Sequence, residues 1–335
     1  MKKFLCYIIL FVLLCFAIPI LFTNKQEKQE VAKIVKNNES QNEKEEHINY
    51  DYKQYNTIKL LHAKTMQVEE IPLDEYLYGV VSSEMPASFE IEALKAQAIV
   101  ARTYTIYKIQ NNNEKHEGAD ICDDSNCCQA WISKEDRFAR WEEVSAQSNW
   151  NKIVDAVDST KGKIITYEGK PINSFFHSNS GGKTETTINV WGGDNYPYLQ
   201  TVSTSGEQAY TQYQSEVTLT KQTFIDKIKE KHADFEIDFS SSNCIQILEY
   251  TDGDRVKKIK IGNMEFSGVE VRSMLGLKSA NFIVTIEGDN IKFSVKGYGH
   301  GVGMSQTGAD SMAKQGSNYE EIIKHFYTGV EIADL

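Results

Sequence analysis

The chain has 335 residues, 41% hydrophobic and 25% charged, the composition of a globular protein long enough for one large domain or two smaller ones. Its net charge is −11, and residues 1–50 hold seven lysines against six glutamates, which leaves −12 for the rest. An acidic fold argues against nucleic acid, whose phosphates need a basic stripe, and against tight binding of a strongly anionic polymer by charge alone.

Lys2 and Lys3 precede Phe4 to Phe22, nineteen residues without a charge. As a helix, that run matches the roughly 30 Å hydrocarbon core of a bilayer. It exceeds the apolar core of a usual signal peptide, and no A-x-A-like cleavage site follows Phe22. A retained membrane anchor over 4–22 is therefore expected, with residues 1–3 as a stub on the cytoplasmic side and everything later outside. Lipidation is not expected, because Cys15 follows Leu14 where a small residue would be needed. Residues 23–50 are polar and nearly free of aromatics, which reads as a tether, and folded protein is expected over 51–335. Four of the six cysteines lie in that part, too few for a disulfide scaffold in a domain of this size.

Alternation over residues 56–70 predicts a strand or hairpin. A helix is predicted over Leu73–Glu84, opened by Pro72 and stopped by Pro86. Leu73, Leu77, Val80 and Glu84 share one face of it, which puts a carboxyl at the end of an apolar stripe. Desolvation there would raise its pKa, as a general acid requires; a terminal glutamate reaching back to solvent is the plainer alternative. The strongest helical pattern covers 89–110, with Ser88 as N-cap and Ile91, Leu94, Ala98, Ala101 and Thr105 as the inner face. Helix returns over 149–159, and from Lys163 the pattern turns to strands, including a hairpin with its turn at Asp289-Asn290. Glycines at 297, 299, 301 and 303 lead into a helix over 304–314, and 319–327 forms a last short one. The expected class is α+β: long buried helices near the N-terminal side of the ectodomain, packed with a mostly antiparallel sheet and a C-terminal helical segment, around a substrate cleft.

Three further constellations could carry chemistry. In SFFHSNSGGKTETTINVWGG, residues 174–193, Ser178, Asn179, Ser180 and Lys183 with Trp191 nearby suit the hydroxyls and ring faces of a sugar, or form an ordinary long turn. In GYGHGVGMSQTGA, residues 297–309, His300 and Gln306 line a cleft or the glycines simply permit close packing. This segment is neither a P-loop nor a dinucleotide fingerprint, and no G-x-S-x-G serine-hydrolase motif occurs. Last, His116, Cys122, Cys127 and Cys128 fall within thirteen residues. They suit a tetrahedral Zn²⁺ site, with His116, Cys122 and Cys128 as three ligands and Cys127 or His177 as the fourth; a disulfide such as Cys122 with Cys128 is the competing reading.

The block SSEMPASFEIEALKAQAIVARTY, residues 82–104, together with SNSGGKTE, VWGG, PYL and GHGVGMSQTGADSMAKQG, resembles the stage II sporulation protein D family, in that family's order and over roughly residues 56–330. The resemblance implies a peptidoglycan lytic transglycosylase of forespore engulfment. Such an enzyme cuts MurNAc–GlcNAc bonds of peptide-stripped strands and leaves 1,6-anhydro-MurNAc ends. It implies Glu84 as the catalytic acid and a structural zinc in the His/Cys segment. It also implies the stage II sporulation protein P amidase and other engulfment membrane proteins as partners, and a single-pass protein of the mother-cell membrane facing the septal space. Arg102, Ser178, Ser180, Lys183 and His300 are the expected substrate-binding residues.

Overall fold

The computed structural model describes residues 52–111, 116 and 118–335. The expected anchor and tether lie outside those residues, and among the described residues no helix is long and apolar enough to cross a membrane. Chain order begins with a hairpin, β1 (Thr57–His62) and β2 (Gln67–Pro72), paired antiparallel from Thr57↔Pro72 to His62↔Gln67. Helix α1 (Leu73–Glu84) follows directly, because Pro72 supplies a fixed φ and needs no donated hydrogen bond at a helix start. Met85 breaks it in extended backbone, as a residue before proline must.

Helix α2 (Ile91–Gln110) is the axis of the first core. Every residue from Ala96 to Ile106 is buried, so the helix is covered on all sides rather than on one face. Small alanines let α1, α4 (Glu143–Asp158), α8 (Gln306–Lys314) and α9 (Tyr319–Phe326) pack close around it; the short α3 (Lys134–Phe138) and α5 (Thr187–Trp191) lie between these in sequence. Ser88 does not cap α2: it sits in a turn closed by the Phe89 N–H to Pro86 O bond, and Asp310 Oδ1 of α8 accepts from the Glu90 N–H at 2.6 Å instead. A side chain from 220 residues away took the role that local sequence assigned to a neighbour.

The short β3 (Ile121–Cys122) adds parallel to β1. Strand β4 (Lys163–Tyr167) pairs antiparallel with β5 (Lys170–Pro171) and with the C-terminal β14 (Glu331–Asp334), and β6 (Phe176–His177) pairs parallel with β13 (Met304–Ser305). Between β6 and β13 the chain builds a second core. Here β7 (Gln214–Thr220), β11 (Asn281–Glu287) and β12 (Asn290–Lys296) form one antiparallel sheet, and β8 (Ile245–Tyr250), β9 (Val256–Ile261) and β10 (Met264–Phe266) form another. Helices α6 (Lys221–Lys229) and α7 (Gly268–Leu275) complete it around Phe224, Ile259, Phe282 and Phe293. The β11–β12 turn is Gly288-Asp289, one residue earlier than expected, because Gly288 takes φ +62° and Asn290 already pairs with Glu287. The class is α+β with mostly antiparallel sheets, as expected.

Candidate active site and metal centre

Glu84 is the last residue of α1, and the fold brings it against the first residue of α8. Its Oε1 accepts from the Ala130 N–H at 2.7 Å, and its Oε2 accepts from Gln306 Nε2 at 3.4 Å. Burial raises the carboxyl above its ordinary range and outweighs those two donors, which favour the charged form. A position at a helix C-terminus opposes a negative charge as well.

Two cavities open on this carboxyl. One, of about 410 Å³, is lined by Phe89, Arg137, Trp141, Asn149 and Gln212. The other, of about 740 Å³, is lined by Tyr104, Phe175, Trp191, Arg272, Tyr298 and His300. Glu84, Ser178 and Gln306 border both, so the carboxyl stands where the two meet. Among the described residues lining the two cavities, Glu84 supplies the sole carboxyl. Trp191 and Tyr298 keep 52% and 43% of their surface exposed, leaving ring faces open to a ligand.

The other expected substrate-binding residues part company. Ser178 borders both cavities, and His300 lines the larger one, its ring tilted against Trp191 at 5.0 Å between centroids. Burial and the nearby His177, Arg272 and Arg255 hold the His300 ring well below its usual range, so it is neutral, and its Nδ1 accepts from the Val302 N–H. Arg102 is a correction. It is fully buried, and its guanidinium donates to the carbonyls of Val157, Thr160 and Lys163, where it satisfies the C-terminal end of α4 rather than meeting a ligand. Ser180 is another: fully buried, it donates its hydroxyl to Glu207. Lys183 lies outside both cavities and forms an exposed ion pair with Asp254 at 3.0 Å.

Glu207 is the residue that the sequence reading missed. It is fully buried and accepts from the Ser180 N–H and Oγ, the Gly182 N–H, Thr204 Oγ1, Thr307 Oγ1 and Ser305 Oγ. Burial alone would raise this carboxyl, but the bonds from Ser180, Ser305 and Thr204 prevail and hold it below its usual range. It thereby pins the SNSGG loop to the start of α8, which carries Gln306. Nothing in its local sequence signals this, because its donors come from residues up to 100 positions away.

Arg255 adds a second tie, donating to the carbonyls of Ser180, Lys183 and Gly253. The glycine run serves the same packing. A Cβ at Gly301 would lie 2.0 Å from Arg255 Nη2, and one at Gly303 would lie 1.9 Å from Phe175 O; both residues have positive φ. Both readings of this run therefore hold: the glycines permit close approach, and His300 and Gln306 line a cavity.

His116, Cys122, Cys127 and Cys128 converge so that all four ligand atoms lie within 4.8 Å of one another. His116 Nε2 is 3.4 Å from Cys128 Sγ and 3.3 Å from Cys127 Sγ, and the two sulfurs are 3.8 Å apart. Ligands about 2.0–2.3 Å from a central ion at tetrahedral angles would be separated by roughly 3.5–3.8 Å, so the cluster fits a four-coordinate metal. Among the described residues Cys122, Cys127 and Cys128 form no disulfide, against the disulfide reading. His177 is not in the cluster; its ring bonds Val302 O, and burial lowers its pKa to about 3. Cys127 and Cys128 precede Ala130 by three and two residues, so the cluster and the amide that holds Glu84 share one loop.

A family model described as stage II sporulation protein matches residues 62–167. The chain is 38% identical to the stage II sporulation protein D of Bacillus subtilis (strain 168), over 83% of this chain and 79% of the relative. It is 37% identical to the protein of that name from Bacillus amyloliquefaciens, over the same shares. An amidase enhancer of Bacillus subtilis (strain 168) is 32% identical over 76% of this chain and 40% of its own length.

Proposed function

Because the chain belongs to the stage II sporulation protein D family, we propose that it is a lytic transglycosylase that cuts the MurNAc–GlcNAc bonds of peptide-stripped peptidoglycan during sporulation, with Glu84 as its catalytic group. The observation that carries this reading is a single carboxyl, raised in pKa by burial, at the junction of two cavities that hold no second one among the described residues. A glycosidase that activates water, or attacks with its own carboxylate, needs a pair of them.

One carboxyl suffices when the nucleophile belongs to the substrate. Glu84 donates its proton to the glycosidic oxygen as the bond from MurNAc C1 to that oxygen breaks, and the 4-hydroxyl of GlcNAc leaves. The resulting carboxylate, held by the Ala130 N–H and Gln306, takes the proton of the MurNAc C6 hydroxyl as its oxygen attacks C1. The product is the 1,6-anhydro end, and Glu84 is protonated again. Rings of the strand pack on Trp191 and Tyr298, with Ser178 and His300 beside them.

The metal of the His/Cys cluster is zinc in this reading, and it is structural. It would be held by His116, Cys122, Cys127 and Cys128, and it would supply a fixed cross-link for the loop that ends in Ala130. The protein sits in the mother-cell membrane through residues 4–22 and works with the stage II sporulation protein P amidase, which strips the strands. A second reading, a non-catalytic module that enhances an amidase, is favoured by the relative of that name. Mass spectrometry of peptide-free glycan after digestion separates them. Wild type should release anhydro-muropeptide ends and Glu84→Gln should not; equal release, or none from either, would sink the transglycosylase reading.

A further inference from the structure

The smaller cavity holds a charge that no carboxylate among the described residues answers. Arg137 lines it, half-buried, on the short helix α3, with its guanidinium carbon 4.6 Å from the centre of the Trp141 ring. Its Nε is buried without a hydrogen-bond partner, and among the described residues no carboxylate forms an ion pair with it. Burial, and then the like charge of Arg140, depress its pKa, so its neighbourhood opposes the charge that it carries. In a chain of net charge −11, acidic residues are plentiful, yet among the described residues none pairs with this cation, which lines the same cavity as Glu84. A planar guanidinium lying over an indole ring presents the paired donors that suit a two-oxygen acceptor.

We propose that Arg137 binds the free lactyl carboxylate of a MurNAc residue seated in this cavity, and so makes the enzyme selective for strands whose peptides have been removed. This rests on the glycan reading above. A MurNAc that bears a stem peptide carries an uncharged amide at that position; removal of the peptide exposes a carboxylate, which the fork of Arg137 can accept in two hydrogen bonds. Asn149 and Gln212 line the same cavity and offer neutral amides to the hydroxyl and acetamido groups of the sugar. The charge therefore reads the lactyl group, and the amides read the ring.

The test measures binding and does not depend on cleavage. The Glu84→Gln protein is titrated with a MurNAc–GlcNAc tetrasaccharide carrying free lactyl acids, and with its methyl ester, of nearly equal size and without the charge. The free acid should bind on the order of tenfold to a hundredfold tighter, the range of a charge-assisted hydrogen bond lost or kept. Adding Arg137→Gln should bring the two affinities to within about twofold, while Arg137→Lys should restore part of the difference; melting curves confirm that each variant is folded. A preference that survives Arg137→Gln, or free acid and ester bound equally by the parent, overturns the assignment. A protein that shows the preference but releases no anhydro ends in the digestion assay keeps this role for Arg137 and loses the transglycosylase reading, so the two failures are distinct.

Discussion

Glu84 and Glu207 both bond side chains at the start of α8 and are the same residue in opposite electrostatic states. Glu84 receives two hydrogen bonds, one of them long, and borders two cavities; burial prevails and its carboxyl keeps its proton more readily than a free one. Glu207 receives six donors and borders neither cavity; the donors prevail and it holds its charge. Burial does not decide the state of a carboxyl. The number of donors that meet it does, and a group with few of them stays available to move a proton.

The contrast is most exposed to substitution at Glu84. Glu84→Gln should lower release of anhydro ends on the order of a thousandfold, the contribution of a positioned acid and base. It should not cost stability. A carboxyl with a raised folded pKa binds its proton over a range where the unfolded chain has lost it, so its contribution to stability falls as pH rises out of the ordinary glutamate range. Denaturant melts should therefore show Glu84→Gln gaining on wild type between acid and neutral pH.

Glu207→Gln should do the reverse, because it leaves buried hydroxyls and amides facing an NH₂ group. A stability loss of about 3 kcal/mol is expected near neutrality. That deficit should shrink as pH falls through the depressed pKa of Glu207, where wild type loses the same contribution. A Glu207→Gln protein as stable as wild type at pH 7 would remove the distinction drawn here.

Metal removal should act on the Glu84 side alone, since the His/Cys loop carries Ala130 and not the donors of Glu207. Chelation should lower the melting temperature by roughly 5–10 °C, and zinc should restore it. No change in melting on chelation would argue against a bound metal. The smallest effect belongs to Gln306→Ala. It deletes a donor that favours the carboxylate, so the alkaline limb of the kcat/KM profile should move to higher pH, with a loss in rate of roughly tenfold. A limb that moves to lower pH would contradict the role given to that bond.

Much of this was legible in the sequence, and the reason is range. Helix α1 appears at its predicted bounds because Pro72, Pro86 and the apolar spacing between them are local signals. The four His/Cys residues that could hold a metal lie within thirteen positions, so their convergence needed little of the fold. Arg102 could not be read that way. Its hydrogen-bonded carbonyls are 55 to 61 residues away, and an arginine after a candidate acid looks the same in sequence whether it binds substrate or ends another helix. The cap of α2 by Asp310 and the burial of Ser180 beneath Glu207 were hidden for the same cause.

The sequence by itself determined that Glu84 ends an apolar stripe before a proline turn, that an acidic α+β domain follows an apolar N-terminal run, and which four residues could share a metal. Tertiary structure alone decided which glutamate is poised and which is pinned, and left Arg137, among the described residues, without a carboxylate partner in a cavity that Glu84 also lines. Those outcomes depend on how many donors reach a buried charge, and the donors are delivered by chain folding from distant positions, not by neighbours along the sequence.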